Sequence, residues 1–193
     1  MNKFLSIILL LMLVFTSVAL LATKDNTSSM PPDSGSGKAA IGGAFTLTDQ
    51  NGKQVSDAEF RGKQMLVFFG FTRCPEICPT TMATISSTMD SLGEKAGHIV
   101  PVFISVDSKH DTPERIKDFL SNFNPRIVGL TGSEEQIKEV ASLYKTYYAE
   151  QGDLMDHSSL IYWMNEKGEY IKHFPYTISA DELAKTLADG PSE

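Results

Sequence analysis

Met65-Leu-Val-Phe-Phe-Gly-Phe71 runs straight into Thr72-Arg-Cys-Pro-Glu-Ile-Cys-Pro79. The first seven residues carry no charge and no polar alternation, so they read as a strand covered on both faces at the centre of a sheet. Directly after them stand Cys74 and Cys78, the only two cysteines in the chain, each followed by a proline. Beyond the pair, Met82, Ile85, Met89 and Leu92 recur at helical spacing. A buried strand that delivers two thiols to the start of an amphipathic helix is an arrangement for thiolate chemistry. A helix beginning at Cys74 would enclose Pro79, which lacks an N–H and clashes with the preceding turn, at a cost of ~3 kcal/mol. The helix is therefore expected to begin at Pro79, with Cys78 as its cap and both sulfurs near its positive end.

Working outward, Phe45-Thr-Leu-Thr48 alternates and Asn51-Gly52 follows, a signature of an N-terminal hairpin. Ile99–Val106 is a second apolar strand, and Ile127–Leu130 a shorter one. Thr112-Pro113-Glu114 opens a helix, with threonine as cap and proline in the first turn. Ser133-Glu-Glu-Gln136 and Ser179-Ala-Asp-Glu182 have the spacing of capping boxes. Ser159–Met164 and Glu169–Phe174 flank Asn165-Glu-Lys-Gly168 as a second hairpin. This alternation predicts a three-layer α/β fold with a central mixed sheet, parallel in its core and antiparallel at its edge. The cysteine turn after the first core strand makes it thioredoxin-like.

The chain has 193 residues and a net charge of −7, which suggests one domain and argues against a nucleic-acid partner. Phe4–Ala22 is apolar except for Ser6, Thr16 and Ser17. As a helix it would reach about 28 Å, just enough for a bilayer core of ~30 Å. Leucines at 20 and 21 make a poor cleavage site. Residues 1–23 are therefore expected to be an uncleaved signal-anchor. Residues 24–40, rich in Ser, Gly and Pro, are read as a flexible tether, and 41–190 as the exported domain.

In an oxidising compartment a lone cysteine pair can be a structural disulfide. A loop this short removes little chain entropy, which weakens that reading. Cys74 and Cys78 can instead pinch one soft ion, Cu(I), Cu(II) or Zn(II), if a third ligand joins them. The four histidines, His98, His110, His157 and His173, are the candidates. His157 is the best placed, in a polar loop entering the Ser159–Met164 strand. His98 and His173 fall at strand ends. His110 follows the second core strand on the cysteine edge of the sheet, where it would act indirectly. Met82 and Met89 lie on the apolar helix stripe, whereas Met155 remains open as a donor. Two cysteines and one histidine, with no second cysteine pair, speak against a closed structural zinc site.

These residues resemble the Sco/SenC family of copper proteins, which serve cytochrome c oxidase assembly. The resemblance spans about residues 41–188. It rests on Phe71–Pro79, on Val102–Asp107 with Asp111-Thr-Pro113, on Val128–Gly132, and on Asp156-His-Ser158. It implies copper, as Cu(I) or Cu(II), on Cys74, Cys78 and His157, with Asp107 as an acidic residue near the site. Ser108 and His110 stand where the family pattern has proline and arginine. The resemblance further implies a copper chaperone, not a turnover enzyme, tethered by its N-terminal helix to the inner (cytoplasmic) membrane with the domain on the periplasmic side. Its partners would be oxidase subunit II, which carries the CuA site, and an exported thioredoxin-like thiol reductant. The alternative is a thiol-disulfide oxidoreductase in which Cys74 and Cys78 cycle to reduce the cysteines of that copper site.

Overall fold

The computed structural model describes residues 40–152 and 154–191. The signal-anchor expected over 1–23, and the tether up to residue 39, lie outside the described residues. Among the described residues no helix is long and apolar enough to cross a membrane.

Among the described residues, nine strands and four α-helices follow one another: β1 (Thr46–Asp49), β2 (Gln54–Ser56), β3 (Gln64–Gly70), α1 (Ile77–Leu92), β4 (Ile99–Ser105), α2 (Pro113–Leu120), β5 (Val128–Thr131), α3 (Glu134–Leu143), β6 (Tyr148–Gln151), β7 (Leu154–His157), β8 (Leu160–Met164), β9 (Tyr170–Pro175) and α4 (Ala180–Asp189). Seven strands form one sheet in the order β2-β1-β5-β4-β3-β8-β9. The β3–β4 and β4–β5 pairs are parallel. The N-terminal hairpin joins antiparallel to β5 and the C-terminal hairpin antiparallel to β3. This is the thioredoxin-like mixed sheet expected from the sequence.

The lack of alternation in β3 has a direct explanation. Leu66 and Phe68 face one core, while Met65, Val67 and Phe69 face another. β4 divides in the same way, sending Phe103 to the first core and Val102 and Ile104 to the second, and β8 does so with Ile161 and Trp163 against Tyr162 and Met164. The first core is closed by α1 (Met82, Ile85, Met89), α2 (Ile116) and α4 (Leu183, Leu187). The second is closed by α3 (Ile137, Val140) and by Phe60. Both faces of the sheet are thus covered, and the strands that matter have no solvent face to mark with polar residues.

The caps do what their sequences require. Thr112 accepts from the Arg115 amide, with Pro113 in the first turn, and Ser133 and Gln136 complete a reciprocal box. Ser179 accepts from the Glu182 amide. One boundary departs from expectation. α1 starts at Ile77, so Cys78 and Pro79 lie in its first turn. The first amide to bond four residues back is that of Thr80, to Glu76 at 3.2 Å. Pro79 is one of the positions whose N–H has no intrahelical partner in any helix, so it costs nothing there.

A second departure lies in the segment expected to be a loop. Tyr148–Gln151 and Leu154–His157 pair antiparallel as a separate two-stranded sheet, with Tyr148 opposite His157 and Glu150 opposite Met155. Period-two alternation puts Met155 and His157 on the same face of this hairpin. His98 ends a short 3₁₀ turn instead of a strand, and His173 lies within β9 against the Tyr170 hydroxyl.

Candidate metal centre

The cysteine turn begins where β3 ends. Gly70, its last residue, sits beneath Cys78: a Cβ there would come within 2.8 Å of the Cys78 sulfur and 2.9 Å of Phe103. A missing side chain at the strand end therefore makes the space that the sulfur occupies. Cys78 is fully buried in the first core, and Cys74 is only partly buried beside it. The chain turns back so that the Cys78 amide donates to the Cys74 sulfur at 3.4 Å.

This geometry separates the two thiols electrostatically. The neighbouring Cys78 thiol is the largest influence on Cys74 and lowers it. Burial, next in size, opposes this, and the amides of Cys78, Glu76 and Ile77 at the helix start add to the lowering, so that Cys74 is held at about 5. The same contact and its own burial push Cys78 far up. Near neutrality the pair is a thiolate at Cys74 and a thiol at Cys78.

His157 comes in from the β6–β7 hairpin. Its Nε2 lies 3.6 Å from the Cys78 sulfur, and its Nδ1 lies 3.1 Å from the carbonyl of Ser158. A carbonyl can only accept, so Nδ1 carries a hydrogen, and Nε2 is the ring nitrogen turned toward the sulfur. Two rings hold the imidazole in place edge-on, Phe68 at 6.1 Å and Phe71 at 5.9 Å between centroids. Met155 lines the same depression as Cys74 and His157.

The donors suit a soft ion. Thiolate and imidazole bonds of about 2.3 and 2.0 Å, as zinc makes them, separate S and N by about 3.5 Å at a tetrahedral angle, close to the 3.6 Å between Cys78 and His157. Among the described residues no three His, Cys, Asp or Glu side chains already converge on one point. Closing the set on one ion requires the three side chains to draw together and Cys78 to lose its proton.

Beside the cysteine turn, Asp107 is buried and takes Arg73 Nη2 at 2.8 Å and His110 Nδ1 at 2.7 Å. Burial alone would raise its carboxyl, but Arg73 and His110 together hold it below the usual range. Asp107 and His110 thus meet the cysteines through Arg73, the neighbour of Cys74. Lys109 pairs with Glu150 and so joins this loop to the β6–β7 hairpin. The sequence reading passed over Arg73. The signal for it was an arginine inside the cysteine motif with an acidic residue ending the adjacent parallel strand.

The profile of the SCO1/SenC family matches residues 33–190. The chain belongs to this family. An SCO2-like protein of Rickettsia prowazekii is 44% identical over 153 residues, covering 76% of this chain and 75% of its own length. Among solved structures, Bradyrhizobium japonicum ScoI with copper bound superposes with a TM-score of 0.72 at 41% identity, over 78% of this chain and 99% of its own. Arabidopsis thaliana ScoI with copper bound gives a TM-score of 0.74 at 38% identity, over 78% and 97%. The site described here therefore sits in an SCO1/SenC domain.

Proposed function

We propose that this chain is a copper carrier that takes one ion on Cys74, Cys78 and His157 and hands it to the CuA site of cytochrome c oxidase subunit II. The observation that carries the reading is His157 Nε2, oriented by the Nδ1 bond to Ser158 and set 3.6 Å from the Cys78 sulfur. Two relatives of similar fold, the Bradyrhizobium and Arabidopsis proteins, hold copper in their solved structures. Another is described as a member of the Sco family of cytochrome c oxidase assembly proteins. Copper is cargo here. Cys74 supplies a thiolate already formed, Cys78 supplies a second on losing its proton, and His157 supplies a neutral nitrogen. An exported reductant would keep the pair reduced, and the N-terminal segment would tether the domain to the inner membrane on its periplasmic side.

A thiol-disulfide role for the same pair draws support from one feature, the low-lying thiolate of Cys74 against a protonated Cys78. Titration of the reduced, full chain with Cu(I) and Cu(II) decides between them. One equivalent bound by the reduced chain, and no tight Cu(I) binding by the disulfide form, is the expected result. Unchanged Cu(I) affinity after oxidation of Cys74 and Cys78 would remove the proposed site.

A further inference from the structure

Asp111 is almost completely buried, at 1% exposure, in the loop after β4 and facing the cysteine turn. Its carboxylate accepts three hydrogen bonds from two other places in the chain. The Thr72 amide donates to Oδ2 at 2.8 Å and the Thr72 hydroxyl to Oδ1 at 2.6 Å. The Ser105 hydroxyl donates to Oδ2 at 2.6 Å, and Ser105 in turn accepts from the Asp107 amide at 3.1 Å. The backbone of Asp111 is also fixed: its amide donates to the Asp107 carbonyl at 2.9 Å, and its carbonyl accepts from the Thr131 hydroxyl at 2.9 Å. Arg115 Nε reaches the Thr72 hydroxyl from α2 at 3.2 Å.

A buried carboxylate is expensive unless its oxygens are satisfied, and here the satisfying groups belong to the residue two before Cys74. From these contacts we propose that Asp111 is the positioning residue of the cysteine turn. It ties Thr72 to β4 and β5, and thereby sets where Cys74 lies relative to Cys78. This rests on Cys74 and Cys78 being the working pair. Asp111 touches neither sulfur in the contacts above; its charge adds a small upward push on Cys78 from a distance, and its hold on the position of the turn is through Thr72.

Three variants of the full chain test it: Asp111→Ala, Asp111→Asn and Thr72→Val. Asparagine can keep the pattern. Its carbonyl accepts from the Thr72 amide and Ser105, and its amide donates to the Thr72 hydroxyl, which turns to accept. Charge is lost and geometry is kept. The first readout needs no metal: the dithiol–disulfide equilibrium of Cys74 and Cys78 against a thiol redox buffer. Asp111→Ala should lower the disulfide-forming constant about tenfold, a shift of about 30 mV for the two-electron couple, with Asp111→Asn within threefold of wild type. The second readout is Cu(II) titration. Asp111→Ala should bind at least tenfold more weakly with a displaced thiolate-to-copper absorbance band, and Asp111→Asn should restore the band. A folded Asp111→Ala chain with wild-type equilibrium and band would overturn the assignment. So would equal shifts in the alanine and asparagine variants, because charge and not position would then be acting. Should the alanine variant not fold, Thr72→Val, which removes one of the three bonds, should move the redox constant about threefold in the same direction, and no movement would overturn the proposal. If the wild-type chain takes no copper, the carrier reading fails, while the redox readout still decides this one.

Discussion

Copper binding should release close to one proton per ion between pH 7 and 8. Ligation requires both sulfurs as thiolates. Two independent thiols of ordinary pKa, about 8.5, would be almost wholly protonated at pH 7 and would release nearly two protons. Here Cys74 is held at about 5 by the Cys78 thiol and the helix-start amides. At pH 7 it is about 99 per cent thiolate. Cys78, buried and donating to Cys74, keeps its proton until the ion displaces it. The logarithm of apparent affinity should therefore rise by about one per pH unit across this window, or about 1.4 kcal/mol. Calorimetry of Cu(I) transfer from a competing chelator, under anaerobic conditions and in buffers of different ionisation enthalpy, counts the protons directly. The His157→Ala protein, measured alongside, removes the imidazole from the count and leaves the protons of the two sulfurs alone. A value near two would mean that the sulfurs behave as separate ordinary thiols. A value near zero would mean that both are already ionised. Either would refute the asymmetry argued from the turn.

His157→Ala should lose most Cu(II) affinity and little Cu(I) affinity, since Cu(I) tolerates two thiolates; loss of its edge contacts with Phe68 and Phe71 should cost about 1–2 kcal/mol in chemical denaturation. Wild-type Cu(II) binding in that variant would exclude the ligand assignment. Gly70→Ala sets a methyl against the Cys78 sulfur, Phe103 and Phe68, so it should destabilise by about 1–3 kcal/mol and weaken copper binding, read by thermal melts and titration; an unaffected site would show that the sulfur has room to move. Arg73→Ala leaves Asp107 buried with only His110. In the wild type the lowered carboxyl of Asp107 contributes stability above the unfolded pKa that is lost as pH falls through its folded value. The variant should therefore lose about 1–3 kcal/mol at pH 7, and the loss should shrink only as the pH falls below the ordinary carboxylate value and through the lower folded value of Asp107; a loss that stays constant through that acid range would argue against the pair.

What the sequence disclosed and what it hid follow from the physics of each element. β3, β4 and β8 were legible because full burial writes itself as uninterrupted apolar residues, and the capped helices because caps are local. The start of α1 was misjudged by two residues, because proline was weighed as a breaker when it stood among the amides that no helix bonds internally. The β6–β7 hairpin was hidden for a different reason. Its strands are four residues each, mixed in polarity and paired only to one another, so their order comes from packing on the body and little from local preference. His157 could be picked out as a candidate, but the hairpin that presents it could not. Arg73, Asp107 and Asp111 were equally beyond reach as a network, since they are brought together across more than thirty positions by the parallel pairing of β3 and β4.

The unequal burial of the two sulfurs gives traffic through this site an order. A donor, an acceptor or a foreign thiol arriving from solvent meets Cys74, while Cys78 lies behind it against Gly70 and Phe103. Any bond to an incoming molecule is then made first at position 74, and position 78 can only answer it from inside. For the copper carriage proposed above, entry and exit would share this single door, and a donor and an acceptor would compete for the same face of the protein.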